Sequence, residues 1–258
     1  MIIVLGGTAE GRQMVSLLNQ EAWPHTACVV SRYGAELLGY NDSTRINQGR
    51  LDVAGLISLI IDTGAALLVD ATHPFATEIS RIGMEAATTC KIDYVRLERD
   101  AAVIPNDPLV KKVQAMDQIE EFLRPQQVVF STLGSRHLPL LVPLVKRAGA
   151  RLVARVLPVS GVVQECEGLG LTPDSIVAVQ GPFSKELNQR LFEHYGAQLI
   201  LSKDSGAAGG LEEKLEAARE MGITIVVWMR PPLNYLRVYS SPEEVLQYIK
   251  AEWGGMFR

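Results

Sequence analysis

Short uninterrupted apolar runs, separated by amphipathic stretches, constrain this chain more than any other feature. Ile2–Leu5, Thr26–Val30, Ala66–Val69 and Tyr94–Leu97 are apolar along most of their length rather than at every second residue. A strand of that kind is buried on both faces, as in a parallel sheet lying under two helical layers. Between these runs, Glu10–Gln20, Val53–Thr63 and Ala76–Cys90 repeat their apolar residues at helical spacing. The rhythm lapses at Asp100–Val110, which holds Pro105, Asn106, Asp107 and Pro108, a composition suited to an interdomain crossing. It then resumes, with strands predicted at Val128–Ser131, Arg151–Val156, Ser175–Val179, Gln198–Leu201 and Thr224–Trp228. Helices are predicted at Leu138–Arg147, Ser184–Tyr195, Leu211–Met221 and Pro242–Ala251. The expectation is an α/β protein of two domains, residues 1–100 and 110–258, each a parallel sheet flanked by helices, with a cleft between them.

The 258 residues are 47% hydrophobic and carry a net charge of −4 without a long run of either sign. Such a chain can bury two cores and lacks the charge for a sequence-independent hold on nucleic acid. Cys28, Cys90 and Cys166 lie far apart without a C-x-x-C pair, so neither a disulfide framework nor a metal site is expected. The N-terminus shows no signal-peptide pattern, and Leu56–Val69, the most apolar stretch, is broken by Asp62 and Gly64. A cytoplasmic protein without a membrane span is the expectation.

Gly6-Gly7-Thr8-Ala9-Glu10-Gly11 follows the first strand directly and opens the first helix. Glycines there let the backbone turn tightly, and a helix N-terminus presents N–H groups to a pyrophosphate. The residues identify the first domain as Rossmann-like and dinucleotide-binding, although Thr8 stands where the G-x-G-x-x-G pattern has its middle glycine. The Thr8 hydroxyl is a candidate phosphate donor, and Arg12 a supporting charge. About twenty residues on, where an NAD site often places a carboxylate on the ribose, the chain reads Ser31-Arg32-Tyr33-Gly34. An arginine and a hydroxyl suit the additional phosphate of NADPH, with NADH as the alternative.

A second cluster, Asp70-Ala71-Thr72-His73-Pro74-Phe75-Ala76, stands at a later strand end. Asp70 and Thr72 are candidate caps for the following helix, and Pro74 suits its first turn. This string, with Gly6–Gly11, resembles the precorrin-6A reductases of cobalamin biosynthesis. Arg96-Leu97-Glu98-Arg99, Gly181-Pro182-Phe183, Ser202-Lys203-Asp204-Ser205-Gly206 and Arg230-Pro231-Pro232 follow in the family's order, so the resemblance spans essentially the whole chain. Many members acting on the cobalt-free substrate carry serine-leucine-alanine-glycine-arginine after the second strand. Here Ser31–Leu38 and Gly49-Arg50-Leu51-Asp52 look more like the anaerobic branch, which reduces cobalt-precorrin-6A.

The resemblance implies reduction of one macrocycle double bond, with hydride from a nicotinamide and a proton added at the neighbouring carbon. It implies cofactor contacts from Gly6, Gly7, Thr8, Glu10, Gly11, Arg12, Ser31, Arg32, Tyr33, Gly34 and Thr72. For a flat tetrapyrrole edged with carboxylates, the candidates are His73, Phe75, Arg99, Thr132, Gly134, Lys203, Ser205, Gly206 and Arg230, with Arg136 and Lys185 as further cations. His73 is the catalytic candidate; Tyr33, Asp204 or water are alternative proton donors. Two other classes fit a glycine-rich first turn: a methyltransferase binding S-adenosylmethionine, and a non-catalytic NADP sensor. The missing acidic residue after the second strand argues against the first, and the lack of an added recognition module against the second. The oligomeric state is not legible.

Overall fold

Continuous apolar runs become fully buried strands in the computed structural model, which describes residues 1–38, 43–206 and 209–253. In chain order the first elements are β1 (Ile2–Leu5), α1 (Ala9–Gln20), β2 (His25–Val29), α2 (Arg32–Glu36), β3 (Thr44–Gln48), α3 (Val53–Thr63), β4 (Leu67–Asp70), α4 (Thr77–Cys90) and β5 (Asp93–Leu97). There follow β6 (Val110–Val113), β7 (Val128–Ser131), α5 (Leu138–Arg147), β8 (Arg151–Val156), α6 (Ser160–Gly168), β9 (Ile176–Ala178), α7 (Lys185–Tyr195), β10 (Leu199–Lys203), α8 (Leu211–Glu220) and β11 (Thr224–Trp228). The chain closes with β12 (Val238–Tyr239) and α9 (Pro242–Trp253).

Two six-stranded sheets result, ordered β12-β5-β4-β1-β2-β3 and β6-β11-β10-β7-β8-β9, with every pairing parallel. In the first sheet, strand alternation sends Ile2 and Val4 to one helical layer and Ile3 and Leu5 to the other. The second repeats this, with Val129 and Leu201 on one face and Phe130 and Ile200 on the opposite one. The order reverses between β1 and β4, and again between β7 and β10. At such a switch point the loops leaving the two strands diverge to opposite faces, which opens a crevice at their carboxyl ends.

The two compact units are Met1–Asp100 with the chain from Pro231 onward, and Ala101–Arg230. The expected second domain, 110–258, therefore ends too late. The edge of β5 is the reason: Arg96 N–H donates to Arg237 O at 2.9 Å and Glu98 N–H to Tyr239 O at 3.0 Å, so β12 covers an edge otherwise left open. Val245 and Ile249 of α9 then bury against Met14 and Leu18 of α1. In the second unit β6 covers the edge of β11 in the same manner; it starts where the expected crossing Asp100–Val110 ends and was not predicted as a strand. Also not anticipated were α2, β3, whose sequence Thr-Arg-Ile-Asn-Gln is largely polar, and α6. Among the described residues no helix is long and apolar enough to cross a membrane.

Candidate functional site

The turn after β1 is built for close backbone approach. Gly7 has φ +127°, and a Cβ there would point into open space, so the constraint on this position is conformational. Gly11 is constrained by packing: a Cβ would lie 3.3 Å from Ala71 Cβ and 3.4 Å from Ala71 O. Its absence lets α1 lie against the strand-end loop of β4. Thr8 caps α1 by accepting the Gly11 N–H at 3.0 Å. Its single hydroxyl proton goes to Ala71 O at 2.8 Å. The expectation that Thr8 donates to a phosphate is corrected accordingly, since its O–H is already engaged. What the turn offers an anion is the backbone N–H groups of the first helical turn and the dipole of α1. Glu10 is tied to Arg99 at 2.5 Å, with both side chains mostly buried. Burial acts to raise the Glu10 carboxyl, but the hydrogen bond and charge of Arg99, with a backbone N–H and Thr8, together hold it below its ordinary value. The two residues, expected to contact cofactor and substrate separately, hold each other.

The loop after β4 rests on a buried ionic network. Arg96 is fully buried; its guanidinium donates to Asp70 Oδ1 at 2.8 Å, Thr72 O at 3.0 Å, Thr72 Oγ1 at 3.1 Å and Glu98 Oε2 at 2.8 Å. Tyr94 donates to the other Asp70 oxygen at 2.6 Å, and Arg96 lies over the Tyr235 ring at 5.3 Å. Burial opposes the charge of Arg96, but Asp70 and Glu98 overcome it and raise its pKa. The Tyr94 hydroxyl is pushed far up by burial and then by the charge of Asp70. Contrary to the expectation from sequence, Asp70 and Thr72 do not cap α4: the helix starts at Thr77 without a side-chain cap, beyond Pro74. Asp70 instead receives the Thr72 N–H at 3.0 Å and hydroxyl at 2.6 Å. Thr72, expected to touch the cofactor, spends its hydroxyl inside this network.

The network fixes the base of the His73–Phe75 turn. His73 Nδ1 accepts the Phe75 N–H at 3.2 Å, which places the proton of the neutral ring on Nε2. The two rings stand 5.8 Å apart. After β2, Ser31 caps α2 by accepting the Gly34 N–H at 3.0 Å. Arg32 is exposed and paired with Glu36 at 2.9 Å, while Tyr33 is exposed and Arg12 partly buried.

At the second switch point Thr132 repeats the role of Thr8. Its N–H and hydroxyl both donate to Leu201 O, at 2.8 and 2.9 Å. Gly134 follows with φ +81° and leads into a short 3-10 turn, Ser135–His137, before α5, which has no side-chain cap. After β10, Ser205 is buried and its N–H donates to Lys203 O at 2.7 Å, while the Gly206 N–H reaches Asp204 Oδ1 at 3.4 Å. Arg230 pairs with buried Asp204 at 3.3 Å. Burial, then the nearby Arg136 charge, lowers Lys203 to about 8. Lys185 pairs with Glu220 at the surface instead of joining these turns.

Three basic residues of structural weight escaped the sequence reading of sites, although each leaves a signal. Arg96 and Arg155 sit inside otherwise apolar strands. Lys214 occupies the apolar stripe of α8, where Leu211, Lys214, Leu215 and Ala218 are all buried at the i, i+3, i+4, i+7 spacing of a core-facing helix.

The residues present fit a dinucleotide at the first switch point: a glycine turn with open space at Gly7, a capped helix N-terminus, and Gly11 packed on Ala71. The family described as precorrin-6x reductase CbiJ/CobK matches residues 1–250. A cobalt-precorrin-6A reductase of Priestia megaterium is 34% identical over 247 residues, 95% of this chain and 96% of that one. A protein of the same description from Methanothermobacter thermautotrophicus is 34% identical over 242 residues, 90% of this chain and 77% of that one. The solved structure of CobK precorrin-6A reductase has a TM-score of 0.80 at 22% identity, covering 100% of this chain and 98% of that chain, a likeness of fold. Sequence and fold together show that the chain belongs to the precorrin-6x reductase CbiJ/CobK family.

Proposed function

We propose that this protein reduces one carbon–carbon double bond of the precorrin-6A macrocycle in its cobalt-containing form, with NADPH as the reductant. The observation that carries the reading is the β1–α1 turn, pinned at Thr8 and Gly11 to Ala71 of the His73 loop. That contact supports a reading in which a dinucleotide-type anion site and the proton-donor candidate His73 belong to adjacent strand ends of one switch point. When bound, the reduced nicotinamide supplies hydride to the ring carbon.

The chain's own groups do the rest. The Gly6–Gly11 turn holds the pyrophosphate through its backbone N–H groups and the α1 dipole. Ser31, Arg32, Tyr33 and Gly34 receive the adenosine ribose and its phosphate, and Arg32 favours NADPH over NADH by offering a cation where a carboxylate would repel. Arg12 supports that charge. Arg96 anchors the Asp70–Thr72 segment and the Phe75 N–H orients the His73 ring; as imidazolium, with its second proton taken from solvent, the ring gives up the Nε2 proton to the neighbouring carbon and returns to its neutral form. In the second unit Thr132, Gly134, Lys203, Ser205 and Gly206 offer hydroxyl, main-chain and ammonium donors suited to the carboxylates of the substrate. The cobalt form is favoured because the Priestia and Methanothermobacter relatives, each 34% identical, carry that description. A cytoplasmic location fits the three free cysteines.

The test is anaerobic oxidation of NADPH and NADH, followed at the reduced-nicotinamide absorbance, with cobalt-precorrin-6A and precorrin-6A supplied in turn. Turnover with the cobalt form, faster with NADPH, is the expected result. A folded protein that binds NADPH but oxidises it with neither substrate overturns the proposal.

A further inference from the structure

We infer that Lys214, Arg155 and Ser202 of the second unit form a binding site for an oxyanion, a carboxylate or phosphate group brought by one of the reaction partners. Strand alternation sets the geometry. Val153 and Ile200 point toward the layer of α7 and α8, so Arg155 and Ser202, two residues further along β8 and β10, face the same side at the carboxyl ends. Lys214 reaches them from α8: its ammonium donates to Ser202 Oγ at 3.4 Å and to Gly209 O at 2.9 Å. Arg155 donates to Asn188 Oδ1 at 2.8 Å and stacks on Phe183 at 4.6 Å.

Lys214 is only 5% exposed, yet among the described residues its hydrogen-bond acceptors are neutral, and so is that of Arg155. A buried ammonium beside a partly buried guanidinium, both held by neutral acceptors, costs stability. The nearest carboxylate, Glu213, stands beside Lys214 on the same helix, and its buried Oε2 makes no hydrogen bond among the described residues. Burial, then Arg155 and Lys203, lower Lys214 to about 7, with Glu213 opposing weakly; burial lowers Arg155 to about 10. An oxyanion seated among these donors satisfies both cations. Retention of such a costly arrangement in a strand-end loop region is the mark of a site rather than of a core.

The inference rests on the reductase reading only for which partner carries the oxyanion, so its first test needs no turnover. Sulfate, which does not titrate in this range, and succinate are titrated calorimetrically into the full chain at pH 6.5 and 8.5. Binding is expected to be on the order of tenfold weaker at pH 8.5, because the ammonium is then mostly deprotonated. In Lys214→Met both the affinity and its pH dependence are expected to be lost; Arg155→Gln, kept as a second variant, weakens binding but retains the pH dependence. Absent binding, or binding unchanged in both variants, overturns the inference and leaves the reductase proposal standing. In the turnover assay, a KM raised for NADPH alone by Lys214→Met assigns the site to a cofactor phosphate, and one raised for the corrinoid alone to a substrate carboxylate; a KM raised for neither overturns it.

Discussion

The two units share a sheet order and a threonine clasp across the switch point, but they treat charge at their strand ends in opposite ways. In the first unit the buried and mostly buried arginines near the site are matched: Arg96 with Asp70 and Glu98, and Arg99 with Glu10. An anion there is met by backbone N–H groups at a capped helix. In the second unit α5 lacks a side-chain cap, and buried cations gather instead, with Lys203 and Lys214 both lowered toward neutral pH. The same topology thus presents main-chain N–H groups at the strand ends of one unit and cationic side chains at those of the other.

The largest expected effect tests the matched side of this contrast. Arg96→Leu leaves the Asp70 carboxylate buried without its cation, and urea unfolding should show a loss of about 3–5 kcal/mol. A loss below about 1 kcal/mol contradicts a structural role for the network. The unmatched side predicts the opposite sign. Lys214 has a folded-state pKa of about 7, below its unfolded value, so the unfolded chain binds more protons between that pH and about 10.4. Wild-type stability contributed by this group therefore rises with pH across that window, and the burial penalty is complete at about pH 7 and below. Lys214→Met should stabilise the fold by on the order of 3 kcal/mol at pH 6.5, with the gain fading toward pH 10; a destabilised variant at pH 6.5 contradicts the account.

Smaller effects separate the sites. Gly7→Val forces a β-branched residue to φ +127° and should weaken NADPH binding about tenfold, or about 1.4 kcal/mol, measured by fluorescence titration, while sulfate binding by the second unit stays unchanged. The smallest expected change comes from Arg32→Gln, because Arg32 is exposed and paired with Glu36. It should reduce the preference for NADPH over NADH by a few-fold, and an unchanged ratio removes Arg32 from cofactor selection.

Most of the sheets could be read from sequence because β1, β4, β7 and β10 are uninterrupted apolar runs, and both switch-point turns follow such runs directly. The polar edge strand β3 and the two-residue β12 carry no comparable signal. The return of α9 to the first unit depends on pairing with β5 across the whole of the second unit, which no local pattern encodes. Hydroxyl positions were legible while their acceptors were not: Thr8 and Thr72 look like ligand contacts until Ala71 O and Asp70 are seen to hold their protons. Lys214 reads as a solvated charge in a run of glutamates unless its place on the buried stripe of α8 is noticed.

The most direct test of this division of labour is hydrogen exchange of the whole chain, measured by mass spectrometry with and without NADPH. The account expects NADPH to protect amides of Gly6–Gly11 and Ser31–Gly34 on the first unit. Protection confined to the strand-end turns of the second unit, with the Gly6–Gly11 segment unchanged, would contradict it.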